Sequence, residues 1–244
     1  MLSDLSTRKY GFFQLLGIGW EVFTTRFTAI AVITLIVYVP VNILLSLIPA
    51  DRMIAEQGIR GFRLYMQLIR LSEGFIGILA TMAIARIVEQ QVQGQDLSPT
   101  DALGSACSRW LSAIGTGILS RLIIFGLLLL LIVPGIMWMI YYAFVDYVVI
   151  LKRIGGKRAL DYSKRLARGQ WWRVFGILFG VGLLGLVCGL TLAFPFGLFG
   201  DNQMVGIVSD TLIDISGAYF QCVLILFFLN VDALKQSTVE RPET

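Results

Sequence analysis

The sequence of 244 residues contains no histidine, three cysteines and few charged side chains. Without histidine, the chain lacks the commonest metal-binding and general acid–base residue. Cys107, Cys188 and Cys222 form no CxxC pair, so a zinc site or a disulfide framework is not expected, and we interpret them as packing residues. The sequence also lacks a phosphate-binding loop, a nucleophile elbow and a dinucleotide fingerprint. These absences predict a protein that is not an enzyme and that uses no metal or cofactor.

Charged residues make up 15% of the chain and hydrophobic residues 57%, whereas a typical soluble domain has about 25% charged residues. This composition indicates that most of the chain is embedded in a lipid bilayer. No polar block is long enough to fold separately, so residues 1–244 are predicted to form a single integral membrane domain. The net charge of +4 comes from basic residues beside apolar segments, a pattern typical of membrane topology signals. We therefore expect no nucleic-acid partner.

Apolar segments predict six transmembrane helices, at 27–50, 71–92, 110–133, 136–151, 171–198 and 204–230. Amphipathic segments at 10–25, 99–109 and 157–168 are predicted to be interfacial helices. For 10–25, a helix packed on the bundle is the alternative. The predicted fold is therefore an all-α, polytopic bundle of three hairpins, each preceded by a short interfacial helix. Pro134-Gly135 separates the third and fourth spans and predicts a tight turn there.

Lysine and arginine residues are distributed unevenly between the two predicted sides of the membrane. Most adjoin one set of span ends, and the opposite side has only Arg52, Arg60, Arg63 and Arg70, all in its first loop. Because cytoplasmic loops carry the excess of such residues, both termini are predicted to be cytoplasmic.

Cations and indole rings precede the fifth span, an order typical of a membrane–water boundary. These residues are predicted to contact anionic lipids or an acidic partner: Lys157, Arg158, Lys164, Arg165, Arg168, Trp171, Trp172 and Arg173. The span itself carries two pairs of small residues at four-residue spacing, Gly176 with Gly180 and Gly185 with Gly189. Such residues allow close helix approach, which we expect within this chain, with dimerisation as the alternative.

Polar residues inside apolar segments are candidates for function because charges in hydrocarbon cost at least about 2.5 kcal/mol each. The candidates are Glu73, Arg121, Asp146 and Asp214. Arg121 and Asp146 lie at similar distances from the predicted turn, so we expect them to form an ion pair, with Asp214 as the substitute partner. Structural pairing is the favoured interpretation and a transport site is the alternative. Asp210 and Asp232 lie near span ends, where solvation would explain them.

Several motifs resemble the membrane domain of glycerophosphoryl diester phosphodiesterases and its stand-alone six-span bacterial relatives, mostly of unknown function. The matching residues are Pro134-Gly135, Ala159-Leu160 with Ser163, and Gly169, Trp171, Trp172 and Phe175. The resemblance covers the C-terminal part of the chain, and the N-terminal third matches only in layout. It implies a bacterial inner-membrane protein without catalytic residues in this domain, because the fused enzymes carry their chemistry on a separate soluble barrel.

We expect a non-enzymatic scaffold or accessory subunit of a membrane complex, or a protein that handles lipids at the cytoplasmic leaflet. Its expected partners are membrane lipids and other membrane proteins, and the sequence does not specify an oligomeric state. The alternative is a small transporter or channel that uses the charges of Arg121, Asp146 and Asp214. A cavity that reaches Asp146 and Asp214 would favour transport, whereas a closed bundle would favour the first function. A membrane-embedded hydrolase is disfavoured because no nucleophile–base pair is recognisable.

Overall fold

A computed structural model describes residues 8–197 and 203–240, without the side chains of Asp51, Glu73 and residues 238–240. The described residues form helices joined by short turns, with no strand. By length and composition, six helical segments of this described part are able to cross a membrane. The all-α class and the number of candidate spans are therefore confirmed, and the arrangement in three hairpins with interfacial helices stays a prediction.

The helices follow one another with few intervening residues. Their bounds are α1 Phe12–Thr25, α2 Phe27–Ser46, α3 Ala50–Gln57, α4 Ile59–Ser72, a π-helical turn Glu73–Gly77, α5 Ile78–Val92, α6 Pro99–Leu130, α7 Ile132–Tyr141, α8 Val145–Leu151, α9 Lys157–Ala167, α10 Trp171–Gly197 and α11 Gln203–Glu240. The segment α4, the π turn and α5 form one candidate span of 34 residues. That span includes residues 59–70, which the sequence predicted to lie in the loop between the first and second spans.

Helix α11 lies at the centre of the bundle and packs against α1, α2, α5 and α10. Residues 222–228 show this position, because fully buried side chains such as Cys222, Phe227 and Phe228 point in different directions around the helix. A helix that is apolar all round belongs inside a bundle. The helix continues to Glu240, beyond residue 230, where the sequence predicted the sixth span to end.

Helix α1 packs against α11, as the alternative interpretation predicted. Leu15 and Val22 are buried on this face, and Gly19 approaches Val223 so closely that a Cβ at Gly19 would lie 2.5 Å from Val223 Cγ2. Trp20 and Phe13 are exposed on the other side. The two faces explain the amphipathic pattern by protein packing, and a position in the membrane interface stays a prediction.

The predicted separate helix 99–109 is not formed, because α6 runs without a break for 32 residues. Its N-terminus matches the sequence signals: Pro99 is in the first turn and Ser98 Oγ accepts a hydrogen bond from the Asp101 N–H at 3.1 Å. No proline follows before residue 134, so nothing interrupts the helix at Trp110.

The turn between the third and fourth spans lies at Leu131 and not at Pro134-Gly135. Leu131 is extended (φ −155°, ψ 126°), and α7 begins at Ile132 with Pro134 in its first turn, where a missing N–H costs nothing. A Cβ at Gly135 would lie 2.5 Å from Leu128 Cγ. Gly135 therefore lets α7 pack closely on α6, and its conformational freedom is not needed for the turn.

The fourth span is broken into α7 and α8 by a turn at residues 142–144. Ser163 on α9 stabilises this break, because its Oγ donates to the Tyr141 carbonyl at 2.7 Å and accepts from the Phe144 N–H at 3.2 Å. Ser163 is fully buried. One face of the basic helix α9 is therefore docked on the broken span, and its position in the membrane interface stays a prediction.

Candidate functional site

A cavity of about 220 Å³ lies between α2, α4 and α11 and carries two carboxylates, those of Asp210 and Asp214. Its other polar residues are Tyr38, Asn42, Ser46, Tyr65 and Ser72. Asp210 and Asp214 are four residues apart on α11, so they share one helix face. We call this the acidic cavity.

Asn42 orients one of the two carboxylates. Its Nδ2 donates a hydrogen bond to Asp214 Oδ2 at 2.8 Å, and Asn42 is only 8% exposed. Asp214 is half-buried and Asp210 is exposed. Sequence reasoning singled out Asp214 but missed Asn42, although a polar amide inside the apolar segment 27–50 was a visible signal.

A second cavity, of about 90 Å³, lies between the π turn, α5, α6 and the start of α8. Arg121 and Asp146 both line it, together with Ser120 and Tyr142. We call this the Arg121–Asp146 cavity. The prediction that the two charges lie at one level agrees with this shared cavity.

The predicted ion pair between Arg121 and Asp146 is nevertheless not formed, since no nitrogen–oxygen distance of 4.0 Å or less joins these two described side chains. The guanidinium instead packs on the π turn, where a Cβ at Gly74 would lie 3.1 Å from Arg121 Nη1. The prediction failed because it assumed an unbroken fourth helix, whereas the turn at 142–144 redirects Asp146. The substitute partner, Asp214, lies at the acidic cavity, and the Glu73 side chain lies outside the described residues.

The π turn separates the two cavities. Ser72, just before it, lines the acidic cavity, whereas Gly74, Phe75 and Ile78 line the Arg121–Asp146 cavity. Trp110 of α6 holds the turn by donating from Nε1 to the Phe75 carbonyl at 2.5 Å. Single π-helical turns inside α-helices are frequent at functional sites.

The predicted lipid-contact residues divide into exposed and packed groups. The exposed ones are Lys157, Arg158, Arg165, Arg168 and Trp172, and Trp172 has 77% of its surface accessible. We call these five residues the basic surface.

The other three predicted contact residues pack inside the protein. The Lys164 Nζ lies 4.4 Å from the Trp138 ring centroid, and the Trp171 ring stacks on Phe175. Arg173 Nη2 donates to the Tyr10 carbonyl and to Asn230 Oδ1, at 3.0 and 2.9 Å. Arg173 thus links the segment before α1, the start of α10 and residue Asn230 of α11. These contacts account for the positive charge of Arg173 without a lipid ligand.

Asp232 is buried, so contact with water does not explain how its charge is accommodated. Its carboxylate binds Lys152 Nζ at 2.5 Å and accepts hydrogen bonds from Tyr162 Oη at 2.5 Å and Gln236 Nε2 at 2.8 Å. Burial, followed by the hydrogen bond to Asp232, raises the pKa of Tyr162 to about 12. The Asp232 cluster ties α9 to α11 and to the end of α8.

The four glycines of the fifth span have different surroundings. A Cβ at Gly180 would lie 2.8 Å from the Phe12 ring, whereas one at Gly185 or Gly189 would make ordinary contact with α11. A Cβ at Gly176 would meet nothing within 4 Å. Three of these glycines therefore face other parts of the same chain.

Comparison with known proteins finds no matching family model, no matching curated protein and no matching solved structure. The resemblance to the membrane domain of glycerophosphoryl diester phosphodiesterases therefore stays a prediction. In the described part of the chain, no three Cys, Asp or Glu side chains are grouped so that they could hold a metal ion.

Proposed function

We propose that this chain is a small membrane transporter that moves a polar solute through the bundle with the help of a cation bound in the acidic cavity. The observation that carries the proposal is the pair of polar cavities on either side of one π turn, inside helices apolar enough to span a membrane. Ionisable side chains within membrane-spanning segments are costly and often mark transport pathways.

The acidic cavity suits a cation because two of its lining side chains, Asp210 and Asp214, are carboxylates. Carboxylate, amide and hydroxyl oxygens supply acceptors for such an ion. The hydrogen bond from Asn42 fixes one carboxylate, which reduces the reorganisation needed on binding.

The π turn supports movement between the two cavities. A π turn replaces regular i→i−4 hydrogen bonds with i→i−5 hydrogen bonds, and here it adjoins residues of both cavities. A local shift of Gly74 or Phe75 would therefore alter the Arg121–Asp146 cavity and displace Ser72 at the acidic cavity.

The scaffold or lipid-handling function is a second candidate, favoured by the basic surface on and after α9. Each cation near an anionic leaflet contributes about 1 kcal/mol. The basic surface is compatible with transport as well, because it would anchor the bundle without entering the cavities.

Transport is tested by reconstituting the purified full chain in liposomes and recording currents driven by gradients of Na⁺, K⁺ or methylammonium. We expect a cation-dependent current that falls at least about tenfold in Asp210→Asn and Asp214→Asn, because each removes a charge that binds the ion. Glu21→Gln is the matched control, since Glu21 is exposed on α1. No current with any cation, or equal currents in all variants, would reject transport in favour of the scaffold function.

A further inference from the structure

The Arg121–Asp146 cavity contains two opposite charges that face the same space without meeting. Among the described side chains, neither the Arg121 guanidinium nor the Asp146 carboxylate has an ion pair or a hydrogen bond. A guanidinium carries five N–H donors and a carboxylate only accepts hydrogen bonds. Both groups lie in helices apolar enough to span a membrane, where unmatched charges are costly.

A ligand that matches only one of these charges would be opposed by the other. A cation would attract Asp146 and repel Arg121, and an anion would do the reverse. A zwitterion satisfies both side chains and leaves the net charge of the cavity unchanged. We propose that this cavity binds a small zwitterion, with its anionic group on Arg121 and its ammonium group on Asp146; this rests on the proposed function and assigns the class of solute.

The walls of the cavity leave room for such a ligand. The lining of α6 includes Ala113 and Gly117, and a Cβ at Gly117 would meet nothing within 4 Å. The volume of about 90 Å³ corresponds to roughly three waters at about 30 Å³ each. This space accommodates a small zwitterion or a phospholipid headgroup, and it is too small for an amino acid with a bulky side chain.

Two sources offer an ammonium group close to an anionic group: a free amino acid, and the headgroup of an ethanolamine phospholipid. The cavity is open to both, because Arg121 is itself exposed. Its neighbours on α6, Ile118, Leu122 and Phe125, are exposed apolar side chains. An apolar surface of this kind faces lipid in a membrane protein.

The experiment measures binding to the purified full chain, independently of transport. Glycine is titrated by calorimetry, with methylammonium and acetate as ligands that carry only one of the two charges. In parallel, native mass spectrometry compares the retention of phosphatidylethanolamine and phosphatidylglycerol. We expect glycine, or phosphatidylethanolamine, to bind at least about tenfold more tightly than its singly charged counterparts. Glycine binding alone identifies a free solute, and phosphatidylethanolamine retention alone identifies a lipid.

Three variants locate the site. Arg121→Gln and Asp146→Asn each remove one charge, and Gly117→Leu fills the cavity while both charges remain present. Gly115→Leu is the matched control, since Gly115 is exposed on the same helix and does not line the cavity. We expect the first three variants to lose binding at least about tenfold and Gly115→Leu to retain it.

Equal binding in Gly117→Leu and Gly115→Leu, or no preference for a zwitterion, would overturn the proposal and leave a cavity that holds water only. Gly117→Leu keeps the test valid where a charge variant fails to fold. Failure of the transport proposal can be distinguished from failure of the binding proposal. If the zwitterion binds but no current depends on Asp214, the binding site is supported and the transport function is rejected.

Discussion

At the scale of single residues, Asp232 shows how a carboxylate is accommodated inside the helix bundle. It binds Lys152, Tyr162 and Gln236, and these three partners come from different parts of the chain. Removing one partner of a buried charged group leaves the others without a hydrogen-bond partner, which costs more than the bond itself contributes.

We therefore expect Asp232→Ala to lower the free energy of unfolding by about 2–4 kcal/mol, measured by thermal unfolding in detergent. Asp161→Ala, at an exposed position of α9, is the control and should change stability little. An Asp232→Ala protein as stable as the control would show that the cluster contributes nothing.

Ionisation of the Tyr162 hydroxyl makes the free energy of unfolding depend on pH in the alkaline range. Its pKa is raised to about 12 in the folded protein, from about 10 in an unfolded chain. The folded state thus retains the proton more strongly, so this stabilisation is complete below pH 10 and is lost between about pH 10 and 12. Unfolding curves across this range should show a smaller decline for Tyr162→Phe than for the unaltered protein; parallel declines would contradict the assignment.

At the scale of helices, contacts at individual glycines position α1 on the bundle. Gly19 faces Val223 with no space for a Cβ, whereas Gly17, two residues earlier, is exposed and unobstructed. We expect Gly19→Ala to destabilise the protein by about 1–3 kcal/mol through overpacking. Gly17→Ala should be neutral or stabilising by up to about 1 kcal/mol, because alanine favours the helix. Equal melting temperatures for the two variants would place α1 elsewhere.

The break in the fourth span depends on a residue from a different helix. Because Ser163 is buried and satisfies the backbone of Tyr141 and Phe144, Ser163→Ala should cost about 1–3 kcal/mol. Ser108→Ala is the control, since its hydroxyl is exposed and bonds only to the Ser105 carbonyl of its own helix. Thermal unfolding of both variants gives the comparison, and a loss of equal size in both would argue against a special role for Ser163.

The break at 142–144 also illustrates which helix boundaries can be predicted from the sequence and which cannot. Hydropathy identifies where apolar segments lie, and Ser98 with Pro99 marks the start of α6 correctly. The turn at 142–144 has no proline or glycine and is stabilised by Ser163, which the sequence does not associate with it. The extension of α11 beyond residue 230 likewise depends on packing against other helices, which local polarity does not reveal.

At the scale of the whole molecule, the candidate site was predictable only in part. Arg121, Asp146 and Asp214 were identifiable because a charge in an apolar segment is conspicuous. Their grouping into two cavities was not, since it depends on contacts such as Asn42 with Asp214, which are 172 residues apart. The π turn between the cavities has no sequence signal that hydropathy or periodicity detects.

We predict the orientation of the bundle in the membrane from the distribution of cations, and this prediction is directly testable through Cys107. This residue is exposed near the N-terminal end of α6, whereas Cys222 is buried and Cys188 is half-buried within α10. Because cytoplasmic segments are enriched in lysine and arginine, we expect Cys107 to face the cytoplasm. A membrane-impermeant maleimide should label it in inverted vesicles and not in right-side-out vesicles, and Cys107→Ser should abolish the signal. Labelling from the outside would reverse the orientation of α6, and with it the side from which each cavity is filled.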